Sequence, residues 1–250
     1  MRLDLGRTWA DASALMRANI DAVSAIAGMF ILLPGILSAW ILPDRPPPSD
    51  KATLADMLNA NSDYMAAHWP VISGNALLVA FGSLTLLALL IHPARPTVAN
   101  AMRIGLAALP FYMLASLLQT MVVMGGLFLF ILPGIYLVAR FLCIAPVAVV
   151  EGRHGPVAIA ARSFQLTRGN GWRILLLLVV ILFVAVIVST AVSLVAGIAG
   201  ALLLPPDLAR FLAIFVGAAI EAGLAVSVTL VSASIYRQTR DGGPARPLAF

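Results

Sequence analysis

Two charged side chains inside apolar runs are the first candidates for chemistry in this sequence. Glu221 stands near the centre of a long apolar run towards the end of the chain, and Arg140 follows 36 consecutive residues, 104–139, that carry no charge. An ionised side chain within a membrane is costly unless it is paired or hydrated, so such residues mark transport pathways or contacts between helices. We predict that Arg140 and Glu221 form an intramembrane pair, which serves either a proton or substrate pathway or the joining of two helices.

Each member of this pair has an alternative role. Glu221 can be neutral and hydrogen-bonded within the bundle, and the long side chain of Arg140 can extend its guanidinium to the cytoplasmic interface. Other polar residues within the apolar runs are expected to form hydrogen bonds between helices. These are Asn75, Tyr112, Gln119 and Tyr136.

The segment 155–173 combines a short amphipathic helix with a cluster of arginines. Pro156 suits the first turn of a helix, Gly169 suits its end, and apolar residues recur between them at helical spacing. Cations at the depth of the lipid headgroups gain about 1 kcal/mol each from anionic lipid. We expect this segment to contact headgroups or a partner protein, and ordinary anchoring in the membrane is the alternative. The contact residues would be Arg162, Arg168, Trp172 and Arg173.

No combination of residues predicts an enzyme, a cofactor or a metal site. Glu151 and His154 have the spacing of a carboxylate metal motif, but such sites need a second copy and further carboxylates on facing helices. The single cysteine, Cys143, lies in an apolar run and is expected to be a small buried hydrophobic residue. The sequence contains no phosphate-binding loop, dinucleotide fingerprint or nucleophile elbow. We therefore expect no catalysis and no bound cofactor or metal.

Composition identifies the class of protein. Hydrophobic residues make up 61% of the 250 residues and charged residues 11%, whereas soluble domains contain about 25% charged residues. Apolar runs of about 20 residues, the length of a membrane-spanning helix, recur along the chain. The net charge of +5 comes from basic residues dispersed at the edges of these runs, so it indicates topology and not a nucleic-acid-binding patch. We predict an all-α, polytopic integral membrane protein with a single transmembrane domain, 1–250.

Six spans are predicted, arranged as three hairpins with short interfacial helices. As one helix, residues 104–139 would extend about 54 Å, far beyond a hydrocarbon core of about 30 Å, so this stretch must fold back. Gly125-Gly126 is the natural turn, and Pro34-Gly35 is expected to bend the first span. The predicted spans are 20–42, 67–91, 99–124, 127–148, 172–203 and 208–236, and the interfacial helices are 8–18, 52–60 and 155–168.

The distribution of cations predicts the orientation in the membrane. With six spans, thirteen of the 16 lysine and arginine residues fall on one side, and only Arg45, Lys51 and Arg210 fall on the other. Reading 104–139 as one span would weaken this bias to 6 against 10. Because cytoplasmic loops carry an excess of arginine and lysine, we expect six spans with both termini in the cytoplasm.

The stretch from Leu132 to Leu176 resembles a known family. Its pattern is an arginine near the end of a span, then a proline, then a glutamate followed by glycine and proline, and finally an Arg-Ser pair followed by Leu-Thr and tryptophan. The residues that carry the pattern are Arg140, Pro146, Glu151, Gly155, Pro156, Arg162, Ser163, Leu166, Thr167 and Trp172. The pattern is similar to that of the membrane domain attached to some bacterial glycerophosphodiester phosphodiesterases and of its stand-alone, largely uncharacterised inner-membrane relatives.

The resemblance implies a membrane domain and not an activity, since a separate phosphodiesterase barrel carries catalysis in the fused proteins. The spans and connections account for all 250 residues, so we expect no such barrel here. We interpret the chain as a non-enzymatic membrane component that acts through membrane lipids, anionic ones in particular, or through a partner membrane protein or a second copy of itself. The alternative is a transporter or permease component with Glu221 and Arg140 in its pathway.

Overall fold

The computed structural model describes residues 3–43, 53–152 and 155–240, and every regular element within these ranges is helical. A π-helical stretch, Gly28–Leu32, joins the second helix to the third. Three residues named above, Arg45, Lys51 and His154, lie outside the described ranges. The helices are α1 (Leu5–Ala18), α2 (Ile20–Ala27), α3 (Leu33–Ile41), α4 (Leu54–Ile91), α5 (Val98–Leu129), α6 (Ile131–Arg140), α7 (Ile144–Val150), α8 (Pro156–Leu166), α9 (Gly171–Leu203) and α10 (Pro206–Arg240).

Six segments of the described chain are long enough and apolar enough to cross a membrane, which confirms the predicted number of spans and the all-α, polytopic fold. The predicted interfacial helices 8–18 and 155–168 correspond to α1 and α8. The spans are Ile20–Ile41, Leu54–Ile91, Val98–Leu129, Ile131–Val150, Gly171–Gly200 and Pro206–Arg240.

The first span contains a local change of helix type. In the π-helical stretch, the N–H of Leu33 donates to the carbonyl oxygen of Gly28. Pro34 follows directly and has no N–H to donate, so the wider turn lies next to the point where the regular hydrogen-bond ladder loses a bond. The irregularity predicted at Pro34-Gly35 therefore takes the form of a π-helical turn just before it.

The predicted surface helix 52–60 is wrong as a separate element, because these residues form the first turns of α4. The Thr53 hydroxyl accepts a hydrogen bond from the N–H of Asp56, and the Asp56 carboxylate accepts one from the N–H of Thr53 at 2.9 Å. This capping box begins a helix that continues to Ile91 across Pro70. Residues 53–66 contain neither glycine nor proline, so nothing ends the helix before the span.

The turn between the third and fourth spans lies at Phe130, and the prediction of Gly125-Gly126 is wrong. α5 continues to Leu129, Phe130 is extended (φ −157°, ψ 137°), and α6 begins at the next residue. The second glycine serves close packing instead. A Cβ atom on Gly126 would lie 3.1 Å from the Cα atom of Gly134, and one on Gly134 would lie 2.6 Å from the backbone nitrogen of Leu127. Two missing Cβ atoms thus let α5 and α6 come into backbone contact.

The fourth span is two short helices instead of one. α6 ends at Arg140, residues 141–143 form turns, and α7 begins at Ile144. Pro146 lies in the first turn of α7, where a missing N–H removes no helical hydrogen bond. α7 is buried along most of its length and packs against α4, α5, α8 and α10.

α10 is the central helix of the bundle. It packs against α1, α3, α4, α7, α8 and α9, and its stretch from Thr229 to Tyr236 is buried. Near its C-terminal end, Ser234 Oγ donates to the carbonyl oxygen of Thr8 and Gln238 Nε2 donates to the Thr8 hydroxyl, both at 3.1 Å. We call the region formed by α1, α8, the start of α9 and the end of α10 the arginine-rich end.

The position of α1 agrees with an even number of spans. α1 and the last turns of α10 lie at the same end of the bundle, as the distribution of arginines leads us to expect. That this end faces the cytoplasm stays a prediction.

Candidate functional site

Arg140 is buried at the junction of α6 and α8, and only 5% of it is exposed. Its Nη1 atom donates to the carbonyl oxygen of Thr167 and its Nη2 atom donates to that of Phe164, both at 2.6 Å. The centre of the Phe164 ring lies 4.0 Å from the guanidinium carbon. The guanidinium thus caps the C-terminal carbonyls of α8, where the helix dipole favours a positive charge.

Side chains of α8 bind Arg140 in return. Ser163 Oγ and Thr167 Oγ1 each donate to the backbone carbonyl oxygen of Arg140 at 3.0 Å. Because α6 ends at Arg140, this oxygen is one of those that an α-helix leaves without an internal partner. Side chains at the end of each helix therefore donate to carbonyl oxygens at the end of the other. The shared structural role of Arg140, Ser163 and Thr167 is to join the ends of α6 and α8.

The predicted pair of Arg140 and Glu221 is not formed. Arg140 Nη1 and Nη2 bind main-chain oxygens, its buried Nε has no partner among the described residues, and Glu221 is exposed on α10. Within the described ranges, the ion pair closer than 4.0 Å joins Arg162 and Glu151. The prediction failed because the end of α8 supplies the acceptors for the guanidinium, and backbone acceptors carry no sign in the sequence.

Glu151 links the connection between α7 and α8 to the central helix. Its carboxylate accepts hydrogen bonds from Arg162 Nε at 3.0 and 3.2 Å and from the Tyr236 hydroxyl at 3.0 Å. The next residue, Gly152, has φ +60°, a conformation that glycine adopts without steric cost, so the chain turns directly after the carboxylate. Pro156 then begins α8, as predicted.

Two residues around the start of α9 hold the N-terminal segment. Arg173 Nη1 donates to the carbonyl oxygen of Leu3 at 2.8 Å, and the N–H of Leu3 donates to Asn170 Oδ1 at 2.9 Å. Of the four predicted contact residues, Arg162 and Arg173 are thus bonded within the protein. Arg168 and Trp172 are exposed.

Glu221 lines two open cavities at the surface of the bundle. The larger has a volume of about 580 Å³, and its wall includes Tyr112, Gln119 and Thr229. The smaller has a volume of about 410 Å³ and is also lined by Arg210. Arg210 and Glu221 are separated by about three turns of α10, so the two charges lie along one face of that helix. Carboxylate, phenol, amide and guanidinium groups therefore line two neighbouring open cavities, where Glu221 and Arg210 are exposed.

Sequence reasoning missed the polar residues that join Leu3 to the start of α9, α1 to α10, and α10 to Glu151. A signal was present, because the last turns of α10 contain more polar residues than a lipid-facing helix accommodates. The missed residues are Thr8, Asn170, Ser234, Tyr236 and Gln238.

Among the residues that the structure describes, no three histidine, cysteine, aspartate or glutamate side chains lie close enough together to hold a metal ion.

Comparison with curated proteins finds bacterial membrane proteins. The UPF0259 membrane protein of Yersinia pestis (strain Pestoides F) is 34% identical over 104 residues, which is 42% of this chain and 40% of that protein. The UPF0259 membrane protein of Yersinia pseudotuberculosis serotype O:3 (strain YPIII) has the same identity and coverage. The chain therefore spans less than half the length of the curated relatives that it matches. No solved structure matches this chain.

A family profile covers more of the sequence. The profile of the membrane domain of glycerophosphoryl diester phosphodiesterase matches residues 77–240, which is 164 of the 250 residues. The matched region contains the second part of α4 and all of α5 to α10, and with them the contacts of Arg140 and Glu151. The chain belongs to the family of this membrane domain.

Proposed function

We propose that this protein is a non-enzymatic component of the bacterial inner membrane and that it binds phospholipid headgroups at the segment 155–173. The observation that carries the proposal is the exposure of Arg168 and Trp172 beside arginines that are bonded within the protein. Arg168 forms no side-chain hydrogen bond or ion pair with the described residues, and Trp172 is 63% exposed. A free guanidinium and an indole are the groups that a phosphate and the interfacial layer of a bilayer favour.

The position of this surface is fixed, which supports specific contact with headgroups. Arg140 caps the end of α8, and Gly169 turns the chain towards α9 with φ +78°. The Trp172 ring packs 5.2 Å from the ring of Tyr136. A backbone and an aromatic ring that are already positioned lose little conformational freedom on binding.

A non-enzymatic role is supported by the way in which the motif residues are used. Ser163 and Thr167 donate to a backbone carbonyl, and Glu151 is held by Arg162 and Tyr236. These contacts occupy the hydroxyl and carboxylate groups that a hydrolytic site would need. The family to which the chain belongs is a membrane domain and not a known catalytic domain.

Lipid-dependent stabilisation tests the proposal. We expect short-chain phosphatidylglycerol to raise the melting temperature of the purified protein in neutral detergent more than phosphatidylcholine does, since a ligand that binds only the folded state stabilises it. The difference should shrink as salt is added, because exposed charges are screened. The substitution Arg168→Gln should remove most of the difference.

Arg103→Gln is the matched control, because Arg103 is an exposed arginine on α5, outside the segment. It should retain the preference for phosphatidylglycerol. Equal stabilisation by the two lipids, or an unchanged preference in Arg168→Gln, would contradict the proposal.

A second candidate function is transport, and the position of Glu221 favours it. Its side chain lines both cavities, and the smaller one contains Arg210 as well. A carboxylate at this depth is costly unless it meets water or a cation, and such residues mark ion and proton routes. If this function is correct, Glu221→Gln abolishes proton uptake into proteoliposomes under an imposed membrane potential and leaves the melting temperature unchanged. Equal uptake by protein-free vesicles and proteoliposomes would rule out a proton route.

A further inference from the structure

We infer that a groove between α1, α2 and α10 binds one acyl chain of a phospholipid from the adjacent leaflet, with the lipid phosphate at Arg17. The groove has a volume of about 580 Å³, within the range of small-ligand sites. Trp9, Ser13 and Arg17 of α1 lie at its mouth, and Val23, Ala27 and Leu32 line one wall. The opposite wall is the face of α10 from Ala219 to Val231.

The length of the groove corresponds to one leaflet. Ala219 and Val231 are about 18 Å apart along α10, and half of a hydrocarbon core of about 30 Å is about 15 Å. Beyond Ala219, a Cβ atom on Gly35 would lie 3.5 Å from the Cβ atom of Ala218, so α3 and α10 are in close contact there. Neither Gly35 nor Ala218 lines the groove, whose lining on α10 ends at Ala219. The space therefore fits a chain that enters from the arginine-rich end and stops near the bilayer centre.

The wall of the groove has no free hydroxyl donor to offer a polar ligand. Three serines line it, and each donates to a carbonyl oxygen of its own chain segment. Ser13 donates to Trp9 at 2.8 Å, Ser24 to Asp21 at 3.0 Å and Ser227 to Gly223 at 2.7 Å. The other wall residues below the mouth are apolar. Hydrocarbon is therefore the chemistry that suits the interior.

The mouth carries the charge that a phospholipid needs. Arg17 lies in the last turn of α1, and its Nε atom donates to the carbonyl oxygen of Ser13 at 3.3 Å. Its two Nη atoms have no partner among the described residues, and no described carboxylate pairs with it. The guanidinium fork matches a phosphate group, and Trp9, which is 56% exposed at the same mouth, suits the headgroup layer. A phosphate followed by one long apolar chain satisfies both parts of the site.

The groove is separate from the surface proposed above. Neither Arg168 nor Trp172 lines it, so failure of lipid binding at that surface leaves this inference intact. The two sites are distinguished by which arginine changes the binding.

Photo-crosslinking tests the groove directly. The full-length protein would be reconstituted into phosphatidylcholine vesicles that contain phosphatidylglycerol with a diazirine near the end of one acyl chain, and the adducts would be mapped by mass spectrometry. We expect adducts to concentrate on the groove residues of α2 and α10. Gly223→Leu should lower their yield severalfold, because a Cβ atom on Gly223 meets nothing within 4 Å and a larger side chain would fill the space. Ala219→Leu fills the inner end and tests the same point if Gly223→Leu fails to fold.

The charge at the mouth is tested in the same assay. Arg17→Gln should reduce the preference for phosphatidylglycerol over a phosphatidylcholine probe about fivefold, the loss expected from one cation near anionic lipid. Arg103→Gln and Gly125→Leu are the matched controls, because Arg103 is exposed on α5 and Gly125 also faces open space. Adducts spread evenly over the exposed faces of α9 and α10, or an unchanged yield in both filling variants, would overturn the inference. So would equal effects of Arg17→Gln and Arg103→Gln.

Discussion

At the scale of single residues, the charge of Arg140 is compensated by oriented backbone carbonyls. The C-terminus of a helix carries about half of an elementary negative charge, and two carbonyl oxygens at the end of α8 bind the guanidinium. A buried cation that loses its hydrogen-bond partners costs several kcal/mol. Moving α8 away from α6 would remove these hydrogen bonds, so Arg140 stabilises the contact between the two helices.

Replacing Arg140 should lower stability even when the positive charge is kept. We expect Arg140→Gln and Arg140→Lys to cost about 3 kcal/mol, or about 6–12 °C in melting temperature, because the two hydrogen bonds that the buried guanidinium donates to main-chain oxygens are lost. Lysine does not restore them, since a single ammonium does not reproduce the planar fork of arginine. Thermal unfolding in detergent measures the effect.

The exposed Arg103→Gln provides the comparison, with an expected change within about 0.5 kcal/mol. If Arg140→Gln melted at the wild-type temperature, Arg140 would not be the cap that holds α8.

The importance of Arg140 could be predicted from the sequence, but its partners could not. An arginine after 36 uncharged residues is visible in the sequence, and so is its membership of a motif with Ser163 and Thr167. The predicted partner was the acidic residue nearest in depth, Glu221. The actual acceptors are main-chain oxygens, which every residue has, and only the folded chain shows which of them lack a helical donor.

At the scale of helices, the hairpin of α5 and α6 depends on contact between glycines. Gly126 and Gly134 face one another where the two helices cross, and a Cβ atom on either would overlap its neighbours. Small residues at helix crossings are a common means of association in membranes, where van der Waals contact replaces the hydrophobic effect. The crossing brings α6, and with it Arg140, into its position beside α8.

Alanine substitutions distinguish the packing glycine Gly134 of α6 from Gly125 of α5. Gly134→Ala should cost about 1–3 kcal/mol, because its Cβ atom would lie 2.6 Å from the backbone nitrogen of Leu127. Gly125→Ala should be neutral or stabilising by up to about 1 kcal/mol, since its Cβ atom meets nothing within 4 Å and alanine favours a helix. Melting temperatures of the two variants provide the test. A loss of stability in Gly125→Ala would instead support the turn that the sequence predicted there.

The boundaries of the helices were predictable where they depend on the length of an apolar run and on charge. They were less predictable where they depend on packing between helices. Residues 92–97 and 204–205 separate helices in the structure, close to the boundaries of the predicted spans 67–91, 99–124, 172–203 and 208–236. The turn at Phe130 was missed because phenylalanine is not a turn residue, whereas a pair of glycines has two opposite explanations, a turn or a close approach. The start of α4 was missed because its first turns are polar and its later turns apolar, and this change was interpreted as a boundary between two helices. A single helix can continue from the water outside the membrane into the bilayer.

At the scale of the whole molecule, the arginine-rich end is a single polar assembly built from both ends of the described chain. Hydrogen bonds join Leu3, which precedes α1, to the start of α9, and they join α1 itself to the end of α10. α8 is joined to α6 through Arg140 and to α10 through Glu151. The opposite end has no comparable network among the described residues.

The arrangement predicts which positions face the same side of the membrane. Single cysteines placed at Ala10 and Gln165, in a Cys143→Ala background, should react with an impermeant thiol reagent from the cytoplasmic side, because both positions are exposed at the arginine-rich end. A cysteine at Asp207 should react from the other side. If the cysteines placed at Ala10 and Gln165 reacted from opposite sides of the membrane, the six-span threading would be contradicted. Reactivity of both from the outer face would leave the threading intact and reverse the orientation.

The docking of α1 also imposes an order on biogenesis. Leu3 and α1 are synthesised before their partners Asn170, Arg173, Ser234 and Gln238, which belong to the last third of the 250 residues. During translation α1 therefore stays undocked, with its apolar side on the bilayer surface, until the final hairpin has been inserted. α1 can dock only after α10 has been inserted. A nascent chain that stops before α10 therefore leaves α1 undocked and recognisable to quality-control proteases.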